Sequence, residues 1–494
     1  MGSVFTLDTT SFLVFIATFL GGILIIKKSK HDSHPGLPPG PRKWPIIGSL
    51  PSLIGDIRVR LGELRDIYGD VFTIQMGPRP SVVLASYEAT KEAFVKQGGA
   101  FSGRPQDDFI TKEIAQGKGI IMVEGKFWRE QRRVIHNILR KLGLGQNIME
   151  KKIKEELAAF EEVLKQNLDK PFNAGWLIHR AVANVIYSIV FGERSEYDDP
   201  RFVKYIKGMD DNFKAVVSAG PAAAFPFLRH LPGDPFKVQA VLERSEHLRS
   251  EYTKLVREHN NRSANAQEDF IDMYQEVMKA NPDMGIDEFQ VVSVVGDLFF
   301  AGTETSSTTI KWAILYMLHN PEMMEKMQKQ IDEVVGRDRL PEMTDRSKLI
   351  HIEAFINEVH RVANVTPLGV PHATVKDTNF RGYFIPKGTM VMSAMSTIHL
   401  DPRVWPEPER FNPDRFIDET GTKLVNTEKL IPFSIGKRLC LGEALAQMEL
   451  FLFMSHLLQK FTFEPIKGQP LPTLEGDLSI SYTPKNYEIV VRQR

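Results

Sequence analysis

One large, mainly α-helical domain with small β-sheets, tethered by an N-terminal apolar segment, is the architecture the sequence predicts. Three observations predict it. The chain has 494 residues, 42% of them hydrophobic, enough to bury a large core. Stretches with helical spacing outnumber the β-branched runs, which are short. After about residue 46 there is no linker-like composition and no internal repeat. Length alone would allow two or three domains, but the unbroken pattern favours one.

The N-terminus differs from the rest. Residues 11–26, "SFLVFIATFLGGILII", are nearly all apolar and are followed at once by "KKSK". Extended back to Phe5, the segment reaches about twenty residues, long enough to span a bilayer. Lys27, Lys28 and Lys30 lie on its C-terminal side, and the extreme N-terminus carries only Asp8. The positive-inside rule then puts the bulk of the chain in the cytoplasm. A cleaved signal peptide is the competing reading, but its basic n-region and small-residue cleavage site are missing. "MGSVFT" fits a myristoylation pattern, which a span so close behind makes a chance match. The run "HPGLPPGPRKWP" at 34–45 cannot be helical and reads as a stiff extended spacer. The expected division is an anchor at 1–30, a proline-rich linker at 31–45 and a folded body at 46–494.

Within the body, "DVFTIQMGPRPSVVLAS" (70–86) is two strand-like runs around Gly-Pro, a hairpin signal. "MEKKIKEELAAFEEVLKQ" (149–166) is an amphipathic helix. Residues 287–320 form a long, mostly apolar helix that stops at Pro321; polar interruptions make it the central helix of a core rather than a bilayer span. Residues 218–236, "SAGPAAAFPFLRHLPGDPF", read as an apolar loop without helical period. Short strands return around "FRGYFIPKGTMVMSAM" (380–395) and near the C-terminus.

Charge and cysteine content narrow the function. Sixty-two basic and 62 acidic residues balance to zero net charge, which points to neither nucleic acid nor a strongly acidic partner overall. A single cysteine excludes an intramolecular disulfide framework and a multi-cysteine zinc site. It also fits a reducing compartment.

That cysteine, Cys440, stands in "PFSIGKRLCLGEALAQMEL", where a turn at Gly436 leads to a helix expected to begin just after the thiol. Free N–H groups at a helix start, with Arg438 nearby, would stabilise a thiolate and depress its pKa. A hydrolase nucleophile wants the same surroundings, and a lone cysteine is ordinarily a small core hydrophobe. The frame sets this one apart: F-x-x-G-x-R-x-C-x-G is met by Phe433, Gly436, Arg438, Cys440 and Gly442. This string resembles the haem-ligand signature of the cytochrome P450 family, in which a Cys thiolate holds the iron and favours O–O cleavage. By contrast, "GLG" at 143–145 lacks the third glycine of a nucleotide fingerprint.

The resemblance implies haem b as cofactor, with Cys440 its axial iron ligand, and gives other motifs a role. In "AGTET" (301–305), Thr305 could simply bond back to the carbonyl of Ala301, with Gly302 loosening that turn. The family places such an acid–alcohol pair over the haem, which makes Glu304 and Thr305 the proton relay. "EVHR" puts Glu358 and Arg361 one helical turn apart, by themselves an ordinary surface pair. In the family they are a buried structural pair completed by a downstream arginine. "PERF" occurs literally at 408–411, but the spacing fits "PDRF" better and makes Arg415 the third member.

"KFWREQRR" puts Trp128 and Arg132 four apart on one helix face. The resemblance gives them a haem propionate, and extends that set to Arg104 in "FSGRP", His372 in "VPHAT" and Arg438. Residues 126–141 carry Lys126, Arg129, Arg132, Arg133, Arg140 and Lys141 against Glu130. Usually this is a solvated face; in the family it docks the acidic flavin domain of a reductase. The loop at 218–236 would be a membrane-dipping, substrate-access segment. Pocket walls are expected in the loop after Arg104 and at 218–227, 294–301, 366–370 and 479–481.

Taken together, the resemblance implies a monooxygenase at the endoplasmic reticulum membrane, its catalytic domain facing the cytoplasm. Electrons would come from NADPH through NADPH-cytochrome P450 reductase, with cytochrome b5 as a further partner. The substrate would be a lipophilic small molecule: a steroid, fatty acid or xenobiotic. An isomerase or dehydratase of lipid peroxides is the rival enzyme, disfavoured by the intact Glu304–Thr305 pair; a non-catalytic haem-binding protein would carry the same ligand motifs. The likeness runs from about Pro35 to the C-terminus and is nearest the microsomal vertebrate-type branch, through "PPGP", "DLFFAGTET" and "VPHATV". It departs at Arg415, where that branch often has histidine.

Overall fold

The computed structural model describes residues 36–77, 79–143, 147–261 and 269–494. The anchor expected at 1–30 lies outside them, and among the described residues no helix is long and apolar enough to cross a membrane. The stretch read as a spacer is docked from Gly36 onward. Phe384 N–H donates to the Gly36 carbonyl at 2.9 Å and Thr73 N–H to Pro39 at 2.8 Å. Prolines have no N–H to give, but their extended backbone still offers carbonyls to a neighbouring strand.

Helix α1 (Ile57–Tyr68) starts where the Asp56 side chain accepts the Arg58 N–H, and it stops at Gly69, whose φ is 90°. The hairpin follows as β1 (Val71–Met76) and β2 (Arg79–Leu84), paired antiparallel from Val71↔Leu84 to Met76↔Arg79. Then come α2 (Gly125–Lys141), α3 (Asn147–Lys165), α4 (Gly175–Phe191), α5 (Pro200–Ser218) and α6 (Val238–His259). Between α5 and α6, where an aperiodic loop was expected, two short helical turns form at Gly220–Ala224 and Pro226–His230. Pro221 and Pro226 open them, where a missing N–H costs nothing. Both turns are too short to show a period, and Phe227 and Leu231 remain exposed.

Helix α7 (Glu288–His319) is the expected long helix. Asp287 caps it by accepting the Gln290 N–H, and it ends at Asn320, ahead of Pro321. From Ser306 to Leu318 it is buried on nearly every side, as is most of α4. Helices apolar all round belong at the centre of a large core. With α8 (Ile350–Ala363) and α10 (Glu443–Lys460), they form the main apolar cluster. Between α8 and α10 lie β3 (His372–Ala373), β4 (Thr378–Phe380), β5 (Tyr383–Ile385), β6 (Met390–Ser393) and the short α9 (Met395–His399).

The hairpin is not a free-standing unit. It joins a four-stranded sheet, β1-β2-β6-β3, in which β6 pairs parallel to β2 (Ser81↔Met390) and antiparallel to β3. The chain closes with β7 (Phe461–Glu464), β8 (Gly476–Leu478), β9 (Tyr482–Pro484) and β10 (Val490–Gln493). The β8–β9 hairpin is fastened to α7: Trp312 Nε1 donates to the Tyr482 carbonyl at 2.8 Å, and the two rings stack.

Candidate active site

Backbone conformation makes the cysteine loop. Gly436 has φ 81°, and a Cβ built there would lie 2.0 Å from the Phe94 carbonyl oxygen. Only glycine fits both conditions. Ser434 also sits at positive φ, 61°, a strained state that the surrounding loop enforces. Cys440 N–H donates to the Phe433 carbonyl at 2.9 Å and Leu439 N–H to Gly436 at 3.1 Å. The following helix begins at Glu443, with Gly442 as its cap, slightly later than the sequence suggested.

The Gly442 and Glu443 amides point to the sulfur and favour its charge, as does Arg132, but burial outweighs them and pushes the thiol up. The depressed thiol expected from sequence is therefore not what the protein alone produces. Desolvation dominates in so enclosed a place; a coordinated metal cation would reverse that balance, since a coordinating thiol is deprotonated outright. Although enclosed by protein, Cys440 keeps accessible surface. Ala301, in the middle of α7, and Val370 do too, each within a few residues of fully buried ones. Exposures set into a buried framework are what the walls of an internal cleft produce.

Arg104, Arg132 and Arg438 gather beside this loop. Arg104 is held by the carbonyls of Ile121 (2.9 Å) and Pro371 (2.7 Å), and Arg438 by those of Ser102 (2.9 Å) and Val123 (2.8 Å). Arg132 donates to the Leu439 carbonyl, one residue from the thiol. Trp128, buried on α2, lies under the Arg438 guanidinium at 3.7 Å and within 5.9 Å of that of Arg132. None of the three arginines forms an ion pair with a carboxylate among the described residues. Burial lowers Arg438 to about 8, with Arg104 and Arg132 repelling it further and Glu124 opposing. Burial, then Arg132, lowers Arg104 to about 10.

His372 donates from Nδ1 to the Phe101 carbonyl at 2.8 Å and stacks on Phe94; burial, then Arg104, holds it down to about 3. A buried set of cations that repel one another is a cradle for anions. The two carboxylates of haem b fit it, and the enclosed thiol fits its iron.

Glu358, Arg361 and Arg415 make the opposite arrangement. Arg361 meets Glu358 through two parallel bonds of 2.8 Å, both side chains fully buried. Arg415 Nε reaches the same carboxylate at 3.1 Å, and Asn412 N–H at 2.7 Å. The remaining Arg361 donors go to the carbonyls of His399, Pro408 and Arg410. The Arg410 side chain of the decoy "PERF" pairs instead with exposed Glu407.

The two α7 residues expected to act together do not face one another. Thr305 Oγ1 donates to the Ala301 carbonyl at 2.7 Å, the local bond its sequence context allows. Glu304 Oε1 accepts from Ser481 (2.8 Å), Thr308 (3.3 Å) and Thr483 (3.4 Å), while Oε2 lies 3.9 Å from His179 Nδ1. Neighbours on a helix diverge by about 100°, so the two side chains find different partners.

Sequence reasoning missed His179, Ser481 and Thr483 as partners of Glu304, since nothing marks residues so distant in the chain. It also missed Asp297, whose Oδ2 accepts the Ile120 (2.6 Å) and Ile121 (3.0 Å) amides and ties the loop after Arg104 to α7. An acid inside the apolar "DLFF" was the available signal. Burial raises Asp297 to about 6 against those two hydrogen bonds.

The family model described as Cytochrome P450 matches residues 38–491. Cytochrome P450 2U1 of Homo sapiens is 35% identical, with 93% of this chain and 90% of the relative covered. Cytochrome P450 2B4 of Oryctolagus cuniculus is 37% identical over 97% and 98%, and cytochrome P450 2H1 of Gallus gallus 39% over 92% and 92%. Such relatives make the chain similar to the family-two branch, and the family implies an oxidoreductase built around haem b. A match that starts ahead of the hairpin and runs into the last strand settles the assignment: the chain belongs to the cytochrome P450 family of haem-thiolate monooxygenases.

Proposed function

We propose that this protein inserts one oxygen atom from O2 into a lipophilic small molecule (a steroid, fatty acid or xenobiotic) at the endoplasmic reticulum membrane. NADPH supplies two electrons through a reductase, and the second oxygen atom leaves as water. The observation that carries the reading is an enclosed thiol that keeps accessible surface beside three guanidiniums that form no ion pair with a carboxylate among the described residues. Haem b, when bound, supplies dioxygen activation that no side chain can perform.

The chain's own residues do the rest. Cys440 would hold the haem iron, its charge steadied by the Gly442 and Glu443 amides. Gly436 and Phe433 hold the loop. Arg438, Arg132, Arg104, Trp128 and His372 would receive the propionates. Glu304, its carboxylate held by Ser481, and Thr305, once its hydroxyl turns from the Ala301 carbonyl, relay protons to the site. Glu358, Arg361 and Arg415 keep the fold around the loop. Residues 1–30 anchor the chain, 31–45 link it, and 46–494 form the catalytic domain on the cytoplasmic side. The basic face of α2 receives the acidic flavin domain of the reductase, and cytochrome b5 is a second donor.

Purified protein with NADPH, reductase and a lipid, steroid and drug panel tests this. The expected result is reductase-dependent product together with NADPH oxidation. Product without reductase would point to isomerase or dehydratase chemistry, and no product from any member would count against the proposal.

A further inference from the structure

His399, at the end of α9, belongs to no motif, yet it stands between two of the groups described above. Its ring is fully buried, and its Nε2 accepts the Ile431 N–H at 3.0 Å. Accepting there requires a lone pair on Nε2, so the proton sits on Nδ1. Its backbone carbonyl accepts from Arg361 Nη1 at 3.0 Å.

From Ile431 the bonds continue: Ser434 N–H donates to the Ile431 carbonyl at 3.0 Å, and Cys440 N–H to Phe433 at 2.9 Å. A second contact runs alongside, since His360, next to Arg361 on α8, packs its ring edgewise on Phe433 at 5.3 Å. Burial, then Arg361 and His360, holds His399 down to about 3, so the ring stays neutral and its lone pair available at neutral pH.

We propose that His399 is a positioning residue of the cysteine loop. In its Nδ1–H tautomer it pins the Ile431 amide and carries the rigidity of the Glu358–Arg361–Arg415 network to Cys440. A buried amide left without an acceptor is costly, so an apolar ring of similar size leaves the start of the loop free to open. The thiolate then meets the iron less uniformly. The inference rests on Cys440 being the iron ligand, but its main test does not depend on turnover.

Amide hydrogen exchange of the full-length protein, resolved at Ile431, is that test. His399→Phe should speed exchange there about tenfold or more. His399→Gln, whose amide oxygen can reach the place of Nε2, should keep near-parental protection. His399→Asn, whose oxygen falls at the place of Nδ1, should not; this pair decides the matter if the Phe variant does not fold. Parental exchange in the Phe variant, or equal exchange in the Gln and Asn variants, overturns the proposal.

The Soret band of the reduced CO complex is the second readout. Folded variants that lack the acceptor should shift a larger share to the form without thiolate ligation. Faster exchange with an unchanged band would make His399 a structural residue only, and would also overturn the positioning role.

Discussion

Arg361 and Arg438 are both buried guanidiniums, and their surroundings are balanced in opposite ways. Around Arg361, a fully buried carboxylate takes two parallel bonds and backbone carbonyls take the other donors. Around Arg438, carbonyls and a Trp128 face hold the group in place, but Arg104 and Arg132 repel it and it forms no ion pair with a carboxylate among the described residues. The first cluster is complete as folded, so its purpose is the fold. The second holds charge that no ion pair among the described residues neutralises, and on the proposed reading its partner comes from outside the chain. The presence of a paired carboxylate thus separates structural arginines from binding ones where burial alone does not.

Breaking the complete cluster should have the largest effect. Glu358→Ala leaves Arg361 buried without its carboxylate and should cost about 3–5 kcal/mol, with or without haem; thermal unfolding of both forms measures it. Arg438→Gln should behave differently. The haem-free protein should unfold at an unchanged or higher temperature, because repulsion among Arg104, Arg132 and Arg438 is relieved. The haem-loaded protein should lose haem about tenfold to a hundredfold faster, the weight of a charge-assisted bond of about 1.5–3 kcal/mol. Equal destabilisation of both forms would erase the distinction between the clusters.

Glu449, on α10, disposes of buried charge in a third way. Burial raises it to about 8, with Ser306 opposing. An unfolded carboxyl loses its proton near 4.5 and the folded one only near 8. Stability present below the lower value is therefore lost as pH rises between the two. Glu449→Gln should remove most of that decline, visible as a flatter unfolding temperature against pH. An exposed pair gives the lower bound: Arg492, on β10, bridges Glu464 and Asp169 at the surface. Arg492→Ala should change stability by no more than about 0.5 kcal/mol.

What could be read from the sequence was whatever local backbone chemistry decides. Gly436 marks its turn, Asp287 opens the long helix, and Gly77 follows the hairpin's first strand. The spacing of "PDRF" put Arg415, rather than Arg410, beside Glu358. What could not be read depends on partners far away in the chain. The direction of the Cys440 shift follows from burial, which the motif does not encode. Glu304 turns to Ser481 and Thr483, on or beside a hairpin near the C-terminus, and no neighbour of Glu304 announces them. His399 looks like any histidine until the Ile431 amide is seen on its ring.

The parallel pairing of Ser81 with Met390 sets the order in which this protein can mature. The β1–β2 hairpin is synthesised early, but the open edge of β2 has no partner until β6 leaves the ribosome. An unpaired edge that waits so long invites wrong pairing and calls for chaperone cover. The cradle shares the delay: Arg104 and Arg132 arrive early, His372 and Arg438 late. On the proposed reading a nascent chain would not take up haem piecemeal, and cofactor capture would become a checkpoint passed only when almost the whole polypeptide is in place.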